Sequence, residues 1–80
     1  MTGNEIFARL NEVFRDVFDD DSIVVKPATT ADDIEDWDSL EHINLIVSVE
    51  EAFDMKFSMG QVVSMKDVGA MVDIIEQHQA

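Results

Sequence analysis

Residues 38–54 read DSLEHINLIVSVEEAFD, and this stretch decides the fold. Asp38 is a good helix-capping residue, and Glu41 three positions later completes a pair that resembles a capping box. At 100° per residue, one arc of a helix from Ser39 to Phe53 is apolar. The members of that arc are Leu45, Ile46, Val49, Ala52 and Phe53. The pattern predicts an amphipathic helix that packs this arc into a core.

The same helix carries a second apolar row, here called the outer stripe, formed by Leu40, Ile43 and Val47. The edge that holds Ser39 and Glu50 separates it from the core arc. Because a surface helix of a small bundle usually needs one apolar stripe, the outer stripe is either covered by the preceding loop or kept for a partner. Its acidic border, made by Glu41, Glu50 and Glu51, favours a partner.

Three further segments show helical features. Apolar residues spaced three and four apart predict a helix from about Asn4 to Phe18. A last helix is expected after Ser64 as N-cap, with Asp67 in its first turn and an inner stripe of Val68, Met71, Val72 and Ile75. Gly69 inside it predicts a close approach by a neighbouring helix. Between residues 54 and 64, one or two helical turns are expected around Phe57, Met59, Val62 and Val63.

The segment from Asp19 to Asp38 is predicted to be an ordered loop with room for one helical turn. Pro27 and the Ala28–Ala31 stretch argue against a regular helix there. Apolar side chains can pin the loop to the core: Ile23, Val24, Val25, Ile34 and Trp37. The prediction is therefore one all-α domain over residues 1–80, a small bundle of three main helices and a short third one.

Composition narrows the function classes. The 80 residues are 46% hydrophobic, which is enough for a core and argues against disorder. The absence of cysteine excludes disulfides and thiolate zinc sites. No apolar run reaches the roughly 18 residues that span a bilayer. Met1-Thr2-Gly3-Asn4 lacks the features of a signal peptide, so a cytoplasmic monomer is expected.

The formal net charge is −13, which disfavours nucleic acids and anionic lipids as partners. Acids that only keep the chain soluble would be dispersed. From Asp32 to Asp54 there are instead nine acidic residues and no Lys or Arg. Such clustering predicts a face that steers basic protein surfaces toward it.

Two kinds of site can be rejected. Ser39 and His42 are three apart on one helix, yet no oxyanion donor or orienting third group accompanies them, which excludes a hydrolase. A packed or loop-bonded His42 is expected instead. No acidic run has the ligand spacing of an EF-hand, so no metal site is predicted. On local chemistry alone, Ser39 is either an ordinary capping residue or a phosphate position at a helix start.

The tripeptide Asp38-Ser39-Leu40 heads the helix, and Glu50-Glu51-Ala52-Phe53-Asp54 ends it. With this helical layout, the chain resembles the acyl carrier protein family, of the discrete stand-alone type. The resemblance implies that Ser39 receives 4'-phosphopantetheine from coenzyme A through a separate phosphopantetheinyl transferase. The arm's thiol would then carry acyl or aminoacyl thioesters to biosynthetic enzymes with basic docking surfaces. By this resemblance the chain itself is not an enzyme.

The resemblance also implies residue roles. Asp38 would help to position magnesium during modification, and Trp37 beside it can shield the base of the arm. The expected partner-binding residues are Leu40, Glu41, Ile43, Val47, Glu50 and Glu51. The expected acyl cleft is formed by Leu45, Val49, Met65 and Met71.

Two departures from the family pattern bear on the pathway. Carriers of fatty acid synthesis usually have an acid at the position of Asn44, and Leu-Gly where this chain has Glu35-Asp36-Trp37. Trp37-Asp38-Ser39-Leu40 is more similar to discrete carriers of specialised pathways, which points away from housekeeping fatty acid synthesis. A lipid, polyketide or other biosynthetic pathway stays open. The alternative is a non-modified acidic helical module that binds basic proteins.

Overall fold

The computed structural model describes residues 2–79, and these residues form helices and loops without a β-strand. The helices are α1 (Gly3–Phe18), α2 (Ser39–Phe53), α3 (Met59–Ser64) and α4 (Val68–Gln79). A short 3₁₀ turn, Ala31–Asp33, interrupts the long loop between α1 and α2. The predicted all-α bundle with a short third helix is therefore confirmed. Within the described range, no helix is long and apolar enough to cross a membrane.

The core lies between α1, α2 and α4. Helix α1 contributes its predicted stripe, of which Ile6, Leu10, Val13, Phe14 and Phe18 are buried. The core arc of α2 is also confirmed, since Leu45, Ile46, Val49 and Phe53 are buried and Ala52 is half-buried. The inner stripe of α4 is buried throughout. The ring of Phe14 lies at the centre, 5.3 Å from the Trp37 ring in an edge-on arrangement.

A carboxylate near each end of α1 accepts local hydrogen bonds, Glu5 in the first turn and Asp20 beyond the last. Thr2 and Glu5 form a capping box, in which each side chain accepts a hydrogen bond from the other residue's backbone N–H. The backbone N–H of Thr2, helped by its side chain, lowers the pKa of Glu5 below its ordinary 4.5. Beyond the other end, the Ser22 hydroxyl and then its N–H lower the pKa of Asp20. The chain leaves α1 through Asp19, at φ 51°.

Two side chains of α1 tie the long loop to the helix. Arg15 Nε donates to the carbonyl oxygen of Ile23 at 2.8 Å, and Asn11 Oδ1 accepts from the N–H of Val25 at 2.7 Å. Val25 and Trp37 are buried and Ile23 and Ile34 half-buried, as predicted.

The prediction for Val24 was wrong, because this side chain is 60% exposed. Its two neighbours are held against α1, and successive side chains of an extended segment point to opposite sides.

The predicted start of α4 was also wrong. Ser64 is the last residue of α3, and its hydroxyl donates to the carbonyl oxygen of Gln61. Gln61 forms a capping box with Ser58, and this pair stabilises the start of α3. The helix then extends to Ser64. The capping role falls to Asp67, whose Oδ1 accepts from the N–H of Ala70 at 2.9 Å.

Gly69 does allow a close approach, but the approaching group is the loop and not a helix. Its N–H donates to the carbonyl oxygen of Pro27 at 2.8 Å. A Cβ at this position would lie 2.9 Å from that same oxygen. The glycine therefore lets the start of α4 dock on the loop backbone, which corrects the predicted helix–helix contact.

We expect Gly69→Ala to destabilise the domain. Gly60 in α3 provides the matched control, since a Cβ there meets nothing within 4 Å. Gly60→Ala should raise stability by about 0.5–1 kcal/mol through helix propensity. Gly69→Ala has the same propensity gain but must displace a backbone carbonyl, with a net loss of about 1–2 kcal/mol. Urea denaturation measures both changes, and equal effects at the two positions would contradict the Pro27 contact.

Candidate functional site

Ser39 is the first residue of α2, and its side chain is exposed. The cap of this helix is Asp38, whose Oδ1 accepts from the N–H of Glu41 at 2.8 Å. The predicted capping-box-like pair was wrong in its second half: Glu41 accepts from Asn44 Nδ2, and the Asp38 N–H donates to the carbonyl of Asp36. Because Asp38 supplies the cap, the start of α2 does not need the Ser39 hydroxyl for it, and the helix dipole favours a phosphate there.

A groove of about 500 Å³ opens beside Ser39, between the start of α2, helix α3 and the loop before α2. Trp37, Asp38 and Ser39 all line it, so the three predicted arm-binding residues lie together. Its walls are mainly apolar, and the remaining lining residues are Ala31, His42, Ile43, Met59, Val62, Val63, Met65 and Lys66. The groove can accommodate a flexible, largely apolar group attached to the serine.

His42 joins three elements at the wall of the groove. Its Nδ1 accepts a hydrogen bond from Trp37 Nε1 at 3.1 Å, and the two rings stack with centroids 5.9 Å apart. An indole N–H only donates, so the neutral His42 ring carries its proton on Nε2. That atom lies 3.5 Å from the carbonyl oxygen of Val62 in α3. The expected loop-bonded histidine is confirmed, and its Nδ1 is used by Trp37 and not by Ser39.

The outer stripe is open to solvent and not covered by the loop. Leu40 is 70%, Ile43 53% and Val47 48% exposed. Met59 and Val63 of α3 extend the exposed apolar area on the far side of the groove. Of the two possibilities that the sequence left open, the structure therefore shows an uncovered apolar surface.

The acidic border is not uniform. Glu51 is exposed, whereas Glu50 Oε2 accepts a hydrogen bond from the N–H of Phe57 at 2.8 Å. Glu50 therefore also holds the turn between α2 and α3.

Comparison with known proteins identifies the family. No protein-family model matches the chain. Its fold is similar to the solution structure of a holo acyl carrier protein from Geobacter metallireducens, with a TM-score of 0.84 and 46% sequence identity. The match covers 89% of this chain and 82% of that protein.

This chain belongs to the acyl carrier protein family.

Only one of the four residues predicted for the acyl cleft lies at the groove of this family member. Met65 is half-buried and lines the groove. Leu45, Val49 and Met71 are at most 1% exposed and belong to the core cluster. Their role around an acyl chain stays a prediction, which would require the core to open toward the groove.

Six lining residues of the groove have no site role in the sequence analysis: Ala31, His42, Met59, Val62, Val63 and Lys66. In the sequence, Met59, Val62 and Val63 stand out only as apolar residues of a short helix, and no pattern singles out Lys66. The Ser58–Gln61 capping pair is a sequence signal for the start of α3, although it does not indicate how α3 packs over α2. Nothing in the sequence pattern alone places Lys66 at the groove.

We expect His42→Ala to destabilise this carrier-family domain by about 1 kcal/mol, because it removes the hydrogen-bond acceptor and stacking partner of the part-buried Trp37 indole. Asn44→Ala, at an exposed position of the same helix, is the control. Urea denaturation followed by the fluorescence of Trp37, the single tryptophan, measures both variants. A His42→Ala midpoint equal to that of the control would contradict this role.

Proposed function

We propose that the chain carries acyl or aminoacyl groups as thioesters on a 4'-phosphopantetheine arm attached to Ser39. The observation that supports this most strongly is the position of Ser39. Its exposed side chain lies at the start of a helix already capped by Asp38, and Ser39 lines a largely apolar groove. Membership of the acyl carrier protein family supports the same function.

The residues around Ser39 fit such an arm. The phosphate would lie where the amide groups and dipole of α2 favour an anion. Trp37 would border its base, and the groove would receive the flexible chain. When bound, the arm supplies the thiol that forms the thioester, and the 80 residues contain no cysteine that could do so.

The proposal includes a separate phosphopantetheinyl transferase, with Asp38 helping to position magnesium during the transfer. It also includes docking of basic partner surfaces on the outer stripe and its acids, as predicted from the resemblance. The charge of −13 and the three exposed apolar side chains support that docking. The single carrier domain over residues 1–80 and the cytoplasmic monomer belong to the same proposal.

The function can be tested by loading. The purified chain is incubated with butyryl-coenzyme A and a broad-specificity transferase, and its intact mass is recorded before and after treatment with neutral hydroxylamine. We expect a single butyryl-phosphopantetheine adduct that loses the butyryl group on treatment, since hydroxylamine cleaves thioesters. An unmodified chain that still binds basic proteins would favour the interaction module instead.

A further inference from the structure

Lys66 is the cation of the groove. It lies in the short link between α3 and α4, and among the described residues that line the groove it alone carries a permanent positive charge. No ion pair of Lys66 occurs within residues 2–79. The adjacent carboxylate of Asp67 is used as the cap of α4. The ammonium group therefore has no carboxylate partner in the described part of the chain.

The position is unusual for a chain with 18 acidic and only 5 basic residues. Two of the other cations are used structurally: Arg9 donates to the carbonyl of Ala52, and Arg15 to that of Ile23. Lys56 lies beside Glu50, Glu51 and Asp54 at the other end of α2. An anion near this protein meets repulsion from most directions, and Lys66 provides local attraction within the groove.

The surroundings of Lys66 suit a ligand that is apolar along its length and anionic at one point. Met59, Val62 and Met65 supply the apolar walls beside it. Asp38 is the acidic residue of the lining, and its Oδ1 already accepts the capping hydrogen bond from the N–H of Glu41. Lysine stems pack along apolar surface while the charged end stays in water, so the ammonium can meet an anion at the rim.

We propose that Lys66 binds a negatively charged group on the arm attached to Ser39. This inference rests on the proposed carrier function and adds a binding residue to it. The anion is either a carboxylate at the far end of the carried acyl group or the phosphodiester of the arm itself. If Lys66 binds the carboxylate, the groove is selective for acyl groups that end in a carboxylate. If Lys66 binds the phosphodiester, it positions the arm whatever acyl group is attached.

The test compares three proteins and two cargoes. Wild type, Lys66→Gln and the matched control Lys56→Gln are each loaded with butyryl or succinyl groups, which differ by the terminal carboxylate. Both variants remove one positive charge, but only Lys66→Gln removes it from the groove. Intact mass first establishes that the arm and cargo are present. The readouts are the thioester cleavage rate in hydroxylamine, the methyl resonances of Met59 and Met65, and the ³¹P resonance of the arm.

If the carboxylate is the ligand, Lys66→Gln speeds cleavage of the succinyl thioester about two- to fivefold, the range that a surface ion pair supports. The succinyl-dependent shifts of the two methionine methyls disappear as well, and the butyryl form is unchanged. If the phosphodiester is the ligand, Lys66→Gln moves the ³¹P resonance equally with either cargo and without cargo. Lys56→Gln should change nothing in either case.

Identical behaviour of Lys66→Gln and Lys56→Gln in all three readouts would overturn the inference while leaving the carrier function intact. A wild-type chain that gains no arm would overturn both, because no anion would then be delivered to the groove. The mass measurement thus separates the two failures.

Discussion

Phe14→Ala should lower the free energy of unfolding by about 3–5 kcal/mol, the usual cost of truncating a buried phenylalanine. Phe14 is fully buried, and its ring contacts those of Trp37 and Phe18, with centroids 5.3 and 6.0 Å away. The change would leave a cavity where α1 meets the loop that precedes Ser39. For a small domain this loss corresponds to a fall in Tm of roughly 15–30 °C.

Thermal unfolding followed by circular dichroism and by Trp37 fluorescence measures this effect. Phe7→Ala, at a half-buried position of the same helix, is the control and should cost clearly less. If Phe14→Ala is already unfolded at 25 °C, Phe14→Leu keeps the test quantitative, because it removes less volume. A Tm for Phe14→Ala within a few degrees of wild type would show that the core is not organised around this ring.

The double variant Ile43→Ala/Val47→Ala should slow phosphopantetheinylation while leaving the fold unchanged. Both side chains are about half exposed on the outer stripe, so their truncation leaves no internal cavity. If partners dock there, losing two central apolar contacts costs about 2–3 kcal/mol, on the order of a fiftyfold fall in kcat/KM. The loss should persist at high salt, because apolar contacts are not screened.

Val24→Ala is the matched control, since Val24 is similarly exposed but lies on the long loop. Transferase kinetics measure the effect, with circular dichroism to verify folding. Equal rates for the control and the double variant would place the docking surface elsewhere.

The acidic residues beside the outer stripe are not equally suitable for testing the role of charge in docking. Glu50 holds the N–H of Phe57, so reversing its charge also disturbs the turn after α2. Glu51 is the better acid for a rim test because its side chain is exposed.

The helices that could be predicted from the sequence are those whose signals are local. In α1 and α2 the apolar spacing agrees with the helices Gly3–Phe18 and Ser39–Phe53, and Asp38 caps α2 as predicted. The apolar periodicity therefore predicts the approximate bounds of α1 and α2 and both apolar faces of α2.

The wrong predictions for Ser64, Gly69 and Val24 have two physical causes. One is competition between neighbouring capping signals, and the other is tertiary contact. Ser64 is a good capping residue in isolation, but it lies inside α3, the helix that the capping box at Ser58 begins. Gly69 signals close approach, yet only the folded chain shows that the carbonyl of Pro27 is what approaches. The exposure of Val24 depends on which neighbours Asn11 and Arg15 hold against α1. The contacts of Gly69 and Val24 are tertiary and leave no mark in a short window of sequence, whereas the Ser58–Gln61 pair is a local signal.

The candidate site also contains residues that the sequence predicts and residues that it does not. Ser39 and Asp38 are adjacent in the sequence and recognisable by their motif. The groove is formed by residues within 31–43 and 59–66, which are separate in the sequence, and its lining depends on how α3 lies over α2. Met65 was found because it matches a family position, and Lys66 was missed because it matches no sequence signal.

The central claim, that Ser39 carries the arm, is tested most directly by intact mass. Wild type, Ser39→Ala and the control Ser64→Ala are incubated with coenzyme A and a transferase, in the presence of an established carrier protein as an internal standard. We predict one phosphopantetheine on wild type and Ser64→Ala, and none on Ser39→Ala, with the standard modified in every tube. An arm on Ser39→Ala, or an unmodified wild type beside a modified standard, would contradict the account.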